Sequence, residues 1–236
     1  MSTAPDSING TALAGMVARE VDKLLTLILG YTELAIQDLD DRNDVLDDLR
    51  IVRGSTERAR RLTDGLHTLS LRRAMHPVDI NLEDWLPARV QALDRLAGEA
   101  VTVRICGRTA ATVRIDPEQL DLMLAQLVLN GAESYDGPGA ITISVRPRLR
   151  RDGPGCVAIR VSDHGRGMDA ATLRRCTEPL FTTRPADDAT GLGLSIVRIA
   201  AMQAGGELRV SSRLGHGTSA TMLLPAAGPA DQGSKR

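Results

Sequence analysis

The sequence is poor in aromatic residues, in cysteine and in excess charge of either sign. Of its 236 residues only 2% are aromatic, whereas 42% are hydrophobic, so aliphatic side chains must build the core. Lysine and arginine number 29 against 30 aspartates and glutamates, and this balance argues against nucleic acid as a partner. Three scattered cysteines without metal-binding spacing favour a reducing, cytoplasmic setting over a disulfide framework.

Long apolar runs are also missing. No stretch approaches the ~20 apolar residues that a membrane-spanning helix needs. The first ten residues lack the basic and apolar parts of a signal peptide, and we expect them to form a flexible arm. We therefore expect a soluble protein with no membrane segment in this chain.

Two stretches of helical periodicity follow the arm. Apolar residues recur three to four positions apart over 11–38 and again over 45–75. The polar break at 38–43 is short, which predicts an antiparallel helical hairpin over residues 11–76. A lone hairpin leaves apolar surface uncovered, and pairing with a second copy in a four-helix bundle would bury it. The alternative is an intramolecular coiled stalk.

From residue 77 to 225 the pattern changes to alternating helices and strands. Helices are predicted over 83–98, from Pro117 after an Asp116 N-cap, and from Leu194. Strands are predicted at 101–105, 112–115, 140–145, 156–161, 207–211 and 218–224. The expected fold class is α+β: the helical hairpin is followed by an α/β sandwich with helices on one face of a mixed sheet. Residues 226–236 are expected to form a disordered tail.

Two glycine-rich turns at the ends of residues 161–195 predict a nucleotide site. The first, from Asp163 to Met168, follows a strand and begins with a carboxylate that can accept a hydrogen bond from an amino group such as that of adenine. The second, from Gly191 to Ser195, runs into a helix whose free amide groups suit phosphate. The polar loop between the turns predicts a lid over the nucleotide.

A polar edge on the preceding helix extends this prediction. Gln126, Asn130 and Glu133 are spaced at i, i+4 and i+7, so they share one helical face. Oxygen atoms there suit Mg²⁺ bound together with a nucleotide. The alternative is a polar helix edge that simply meets solvent.

Residues 118–224 resemble the ATP-binding domain of the histidine kinases, part of the wider family with gyrase and Hsp90-type ATPases. Four boxes carry the resemblance and occur in the family order: Asn130 with its surroundings, Asp163-x-Gly165-x-Gly167-Met168, Glu178-Pro179-Leu180-Phe181-Thr182-Thr183, and Gly191-Leu192-Gly193-Leu194-Ser195. The resemblance implies ATP and Mg²⁺ as cofactors, with Asp163 on the adenine amine and Asn130 on the metal. The cofactor-binding residues that it implies are Asn130, Glu133, Asp163, Gly165, Gly167, Thr182, Thr183, Arg184, Gly191, Leu192, Gly193 and Leu194.

Two positions refine this resemblance. The gyrase-type ATPases carry a glutamate four residues before the asparagine to activate water, and this chain has Gln126, which cannot act as a base at neutral pH. A kinase-type site is therefore favoured over a gyrase-like hydrolase. Arg184 stands where the family often has lysine; it can reach a phosphate, or it is a solvated charge of the lid.

The helical hairpin resembles the dimerisation and phosphotransfer domain of the same family, at Ala18, Glu20 and Leu24-Leu25 among other positions. At the phosphoacceptor position, however, this chain has Arg19 in place of histidine. Arginine stays protonated and offers no lone pair, so it cannot attack the γ-phosphate as imidazole does. Glu20, the candidate base, is retained. His67 and His76 are better explained as ordinary surface or packing histidines than as acceptors.

These features predict an ATP-binding, histidine-kinase-like signalling protein of a two-component or phosphorelay system that dimerises through the hairpin. With Arg19 in place, it would phosphorylate a histidine on a partner or use an unusual site. The alternative is a non-catalytic scaffold, a pseudokinase, that binds ATP and docks a response regulator receiver domain or a partner kinase. A third possibility, an ATPase or anti-sigma-type serine kinase, is disfavoured by the long hairpin.

Overall fold

The computed structural model describes residues 10–37, 47–49, 51–52, 54–56, 59, 76–107, 110–148, 155–184 and 189–227. The chain divides into two compact units. One comprises Met1–Arg72 with Pro179–Leu192, and the other comprises Arg73–Glu178 with Gly193–Arg236. We call the second one the sheet unit and describe each unit separately.

The first unit contains helix α1, Gly10–Gln37, close to the boundaries that the apolar spacing predicts. Leu24 is buried in it, and Lys23 forms an ion pair with Glu20 one turn earlier, at 3.1 Å. Residues 47–49, 51–52, 54–56 and 59 are also helical. The rest of the predicted second helix lies outside the described residues, so the hairpin and its dimer stay predictions. None of the described helices combines the length and apolar character needed to cross a bilayer.

In its described residues the sheet unit has five helices: α2 Leu82–Trp85, α3 Pro87–Ala97, α4 Pro117–Ala132, α5 Ala170–Arg175 and α6 Gly193–Gln203. The helix predicted over 83–98 is split into α2 and α3, because Pro87 has no N–H to continue the first helix. Helix α4 begins as predicted, since Asp116 accepts a hydrogen bond from the Glu118 amide at 2.9 Å. Helix α5 was not predicted; Asp169 caps it by accepting from the Thr172 amide at 2.7 Å.

The described part of the unit also contains seven strands: β1 Val78–Asn81, β2 Val101–Cys106, β3 Thr112–Ile115, β4 Gly139–Arg148, β5 Cys156–Ser162, β6 Glu207–Arg213 and β7 Gly217–Pro225. The main sheet has the order β2-β4-β5-β7-β6. Strands β2 and β4 are parallel and all other neighbours are antiparallel, so the sheet is mixed as predicted. Strand β1 was not predicted, and it pairs with β3 in a separate two-stranded sheet.

The core of the sheet unit is aliphatic, as the scarcity of aromatic residues requires. Helix α4 packs against α6, α3, β4 and β5. The side chains that are completely buried between these elements include Met123, Leu124, Ile141, Ile143, Ile159 and Met222. Burying each of them stabilises the fold by roughly 1.5–3 kcal/mol before the loss of chain entropy. This packing fixes α4 against the C-terminal end of β5, where the first glycine turn begins.

Candidate functional site

Asp163 is the central residue of the first glycine turn. It directly follows β5 and only 9% of its surface is exposed. Its Oδ1 atom accepts hydrogen bonds from the Gly165 amide at 3.0 Å, the Thr218 amide at 3.1 Å and the Ser134 hydroxyl at 3.2 Å. None of the hydrogen bonds in the described part of the chain goes to Oδ2. One carboxylate oxygen is therefore occupied by the fold, and the other is left to accept from a ligand.

The electrostatics of Asp163 follow from this burial. Desolvation raises the pKa of the Asp163 carboxyl above its ordinary value of 3.8, although the bonds from Gly165, Thr218 and Ser134 work in the opposite direction. The Ser134 hydroxyl has a single proton, which it shares between Asp163 and the Gly131 carbonyl oxygen at 2.7 Å. A hydrogen-bond donor on a bound ligand would favour the ionised form of this carboxylate, because it would replace the water that burial removes.

The β6–β7 hairpin holds the turn from one side. The Asp163 amide donates to the Thr218 carbonyl at 2.9 Å, and the Gly215 amide donates to the Arg166 carbonyl at 2.8 Å. The Ser212 hydroxyl accepts from the Met168 amide at 2.8 Å and donates to the neighbouring Gly217 carbonyl at 2.8 Å. Both ends of the turn are thus bonded to the last two strands.

The end of α4 holds the turn from the other side. The Tyr135 hydroxyl accepts from the His164 amide at 2.7 Å and donates to the Ala140 carbonyl at 2.8 Å. The Arg166 guanidinium donates to the backbone carbonyl of Glu133. The contact is so close at Gly165 that an added Cβ would lie 1.8 Å from the Ser134 Oγ atom, so only glycine fits. Gly167, four residues after Asp163, has a positive φ of 64°.

Asn130 and Gln126 face the start of α6, as the helical spacing predicts for their common side of α4. A Cβ added to Gly193 would lie 2.8 Å from Asn130 Nδ2 and 3.0 Å from Gln126 Oε1. Asn130 Nδ2 is buried and makes no hydrogen bond in the described part of the chain. Glu133, predicted on the same edge, is exposed at the C-cap of α4. Leu194 follows Gly193 in the first turn of α6 and packs against the core.

The remaining predicted residues belong to the segment Pro179–Leu192 of the first unit. The Thr182 hydroxyl accepts from the Arg184 amide at 3.1 Å, whereas Thr183 is exposed. Gly191 has a φ of 66°, and the adjacent Leu192 is buried. Residues 185–188 of the predicted lid lie outside the described residues. The segment therefore has local turns of its own on either side of that gap.

Several residues that hold the site were not found from the sequence. Ser134 and Tyr135 directly follow the helix that carries Asn130, and their polar side chains at the end of an apolar helix were the available signal. Ser212 and Thr218 are about 50 residues away from the turn in the chain, and no local pattern marks them. Within the described residues, no group of three histidine, cysteine, aspartate or glutamate side chains could hold a metal ion.

The chain is similar in sequence to known proteins. Residues 115–228 match the sequence model of the family described as histidine kinase-, DNA gyrase B-, and HSP90-like ATPase. Over 224 residues the chain is 30% identical to the sensor kinase CckA of Brucella abortus, covering 90% of this chain and 24% of the relative. It is 27% identical to the sensor histidine kinase ZraS of Klebsiella oxytoca, covering 92% of this chain and 46% of that protein. The chain thus spans less than half the length of these relatives.

Solved structures share the fold at low sequence identity. A mycobacterial sensor histidine kinase, MprB, superposes with a TM-score of 0.51 at 21% identity, covering 66% of this chain and 99% of that structure. Full-length ShkA in complex with AMPPNP superposes with a TM-score of 0.61 at 20% identity, covering 94% of this chain and 47% of ShkA. At these identities the likeness shows the fold alone, and it agrees with the match of residues 115–228 to the sequence model of the histidine kinase-, DNA gyrase B-, and HSP90-like ATPases.

Proposed function

We propose that this chain binds ATP through its histidine kinase-type ATPase domain and acts in two-component or phosphorelay signalling. The observation that carries the proposal is the carboxylate of Asp163, which is buried and has three donors on Oδ1. Its second oxygen is left to accept from the exocyclic amine of adenine. Guanine presents a carbonyl oxygen at the equivalent position, which an ionised carboxylate would repel. The site therefore favours adenine nucleotides.

The residues around Gly193 fit a Mg²⁺ ion carried by the nucleotide. The buried Asn130 amide has an unsatisfied nitrogen, and the amide can turn so that its oxygen faces a ligand. Gly193 leaves room beside Asn130 and Gln126 that a larger residue would fill. Mg²⁺ takes oxygen ligands and keeps most of them from phosphate and water, so one amide oxygen is a sufficient protein contribution. When bound, the ion would neutralise phosphate charge; Asn130 would orient it.

The phosphates would be bound by two further groups of residues. The free amides at the start of α6, from Gly193 and Leu194, suit an anion. We assign Thr182, Thr183, Arg184, Gly191 and Leu192 to the lid over the phosphates. Their order in the sequence supports this role, because the two threonine hydroxyls and the arginine, which can bind phosphate oxygens, precede the glycine turn.

Arg19 supports a non-catalytic variant of this function. Autophosphorylation requires a neutral imidazole that attacks the γ-phosphorus while the bond to the ADP oxygen breaks. Arg19, in α1 next to Glu20, has no lone pair for that attack. A chain that binds ATP without phosphorylating itself would serve as a dimeric scaffold that docks a receiver domain or a partner kinase. The competing candidate is a kinase that phosphorylates a histidine on a partner.

The decisive experiment is incubation with γ-labelled ATP, using the unchanged chain, Arg19→His and, as a matched control without a nucleophile, Arg19→Gln. We expect ATP binding in all three proteins and acid-labile label only on Arg19→His. Label on the unchanged chain would overturn the scaffold proposal and favour a kinase with an unusual acceptor. Failure of all three proteins to bind ATP in calorimetric titration would overturn the proposed function itself.

A further inference from the structure

Within the described part of the sheet unit, helices cover one face of the main sheet, and arginine dominates the exposed residues of the opposite face. Strand residues alternate between the two faces. Positions such as Ile143, Ile159 and Met222 are completely buried on the helix side. The strand positions between these buried ones lie on the other face of the sheet. Their exposed charged residues are Arg104, Arg146, Arg148, Arg160, Glu207, Arg209 and Arg213. We call this surface the basic face.

The charge of the basic face contrasts with the rest of the chain. Six arginines against one glutamate give it a net charge of +5. Since the formal net charge of the whole chain is −1, the remainder carries −6. Glu207 pairs with Arg209, and the other five arginines have no carboxylate partner within the described residues. No two of these arginines lie directly opposite each other on neighbouring strands, so their repulsion is spread over the face and would be reduced by a bound anion.

The register of the strands concentrates part of this charge in a groove. Ser144, Arg160, Thr221 and Arg209 lie in one row across β4, β5, β7 and β6. Arg160 Nε donates to the Thr221 hydroxyl at 3.3 Å, which keeps the guanidinium along the sheet surface. A groove of about 770 Å³ runs beside this row, lined by Arg148, Arg160, Arg209, Ser211, Thr221 and Leu223 among others. Three guanidinium groups, two hydroxyls and the carboxylate of Glu207, which is paired with Arg209, therefore line one concavity.

We propose that this groove and the surrounding basic face bind an acidic, extended peptide segment of a protein partner. Guanidinium groups form paired hydrogen bonds with carboxylates, and the serine and threonine hydroxyls can bind the peptide backbone or further carboxylates. The pairing of Glu207 with Arg209 already shows that carboxylate geometry fits this surface. None of the residues that line the groove belongs to the nucleotide turn, and binding of the peptide there does not require ATP.

Two other polyanions fit the observations less well. A nucleic acid would extend beyond the groove onto a chain that is otherwise strongly negative, and the basic face has no aromatic side chain on which bases could stack. An anionic membrane surface is recognised by basic residues combined with large apolar residues that insert between the lipids. The groove lining contains Leu223, Leu224 and Pro225 but no aromatic residue, and Leu224 is completely buried.

The test measures binding of fluorescein-labelled poly-L-glutamate to the full chain by anisotropy at low ionic strength. We expect saturable binding that weakens as salt is added, and the double variant Arg148→Glu/Arg160→Glu should weaken it by about tenfold or more. The matched control is Arg95→Glu/Arg174→Glu, which makes the same charge change at exposed helix positions outside the basic face. This control should change the affinity by less than about threefold.

Circular dichroism and ATP titration of both double variants separate binding from folding. Both variants should keep the fold and, if the nucleotide proposal holds, the ATP affinity of the unchanged chain. The proposal is overturned if poly-L-glutamate does not bind, if both double variants lose affinity equally, or if single-stranded DNA or phosphatidylserine vesicles bind more tightly than poly-L-glutamate at equal ionic strength. Each of these results is independent of whether ATP binds.

Discussion

Asp116 and Asp163 are two aspartates of the sheet unit that both accept backbone hydrogen bonds, yet their pKa values are displaced in opposite directions. Asp116 uses both oxygens, accepting from Glu118 at 2.9 Å and His76 at 3.0 Å. Burial acts to raise its pKa, but these backbone bonds outweigh it and lower the pKa below 3.8. Asp163 is more deeply buried and uses only Oδ1, and its pKa is raised.

The fold provides donors to both oxygens of Asp116, whereas it leaves Oδ2 of Asp163 for the ligand that the proposed function assigns to it. When every acceptor position is used, the charged form is stabilised and the residue contributes to stability. When burial exceeds the hydrogen bonding, the charged form destabilises the native state at neutral pH. Such a carboxylate lowers the stability of the free protein. This cost is expected where a bound ligand supplies the missing hydrogen bond.

Changing Asp163 to Asn should have the largest effect of the variants considered. The amide keeps an oxygen for the three donors, but it places an NH₂ group toward the adenine amine, so two donors would meet. We expect ATP affinity to fall roughly 10- to 100-fold, measured by calorimetric titration. The free energy of unfolding near neutral pH should not decrease, because a buried charge has been removed. Unchanged ATP affinity would mean that the nucleotide site is wrongly assigned.

The opposite pKa displacements also predict opposite pH dependences. The raised pKa of Asp163 contributes stability that is present below pH 3.8 and is lost as the pH rises through the folded-state pKa. The lowered pKa of Asp116 contributes stability that is present above pH 3.8 and is lost as the pH falls through its folded-state pKa. The check is urea unfolding at a series of pH values. The free energy of unfolding of Asp163→Asn, relative to that of the unchanged chain, should rise from acid to neutral pH. The relative free energy of unfolding of an Asp116 variant should fall over the same pH range.

Gly193→Ala extends the comparison from carboxylates to the buried amide of Asn130. The added methyl group would lie 2.8 Å from Asn130 Nδ2, so the side chain must move from the position assigned to Mg²⁺. Overpacking of this kind costs about 1 kcal/mol or more, and we expect at least a roughly fivefold loss of ATP affinity in the presence of Mg²⁺. The loss should be smaller in EDTA. Gly137→Ala is the control, because its Cβ would meet no atom within 4 Å.

Asp116→Ala should affect stability without affecting nucleotide affinity. Removing the N-cap of α4 should lower the free energy of unfolding by about 1 kcal/mol near neutral pH, measured by urea denaturation. The control is Asp136→Ala, which removes an exposed aspartate of a turn. An equal loss in both variants, or a loss of ATP affinity confined to Asp116→Ala, would contradict the assignment of Asp116 to the fold.

Ser212→Ala should give the smallest effect. The variant removes the acceptor for the Met168 amide while the β6–β7 hairpin stays paired. We expect ATP affinity to fall by roughly two- to fivefold, corresponding to about 0.5–1 kcal/mol for one neutral hydrogen bond. Ser211→Ala, on the exposed side of the same strand, should leave the affinity unchanged. An equal effect of both substitutions would show that the hydrogen bond does not position the turn.

The sequence was sufficient for features that depend on local spacing. Asp116-Pro117 identified the start of α4, the alternation in 101–105 identified β2, and the strand-like run 156–161 identified β5. The start of α6 at Gly193 lies one residue before Leu194, where the pattern predicted it. These features are encoded within one or two turns of helix or one strand, so neighbouring residues determine them.

Features that depend on distant partners were missed. Strand β1 has four residues, and its partner β3 begins more than thirty residues later, so no local alternation marks it. The donors from Ser134 and Thr218 to Asp163 depend on how α4 and β7 meet β5. The open, arginine-rich face likewise required the register of four strands, because each arginine alone is an ordinary exposed residue.

The bonds between the nucleotide turn and the β6–β7 hairpin have a consequence for biosynthesis. Asp163 depends on Thr218, 55 residues later, and Met168 depends on Ser212, 44 residues later. During translation the turn emerges from the ribosome well before the residues that shape it. A nascent chain, or one truncated before residue 212, therefore lacks the bonds that fix Asp163. Under the proposed function, nucleotide could bind only after the sheet has received its last two strands, so bound nucleotide would mark a chain that has been synthesised through residue 218.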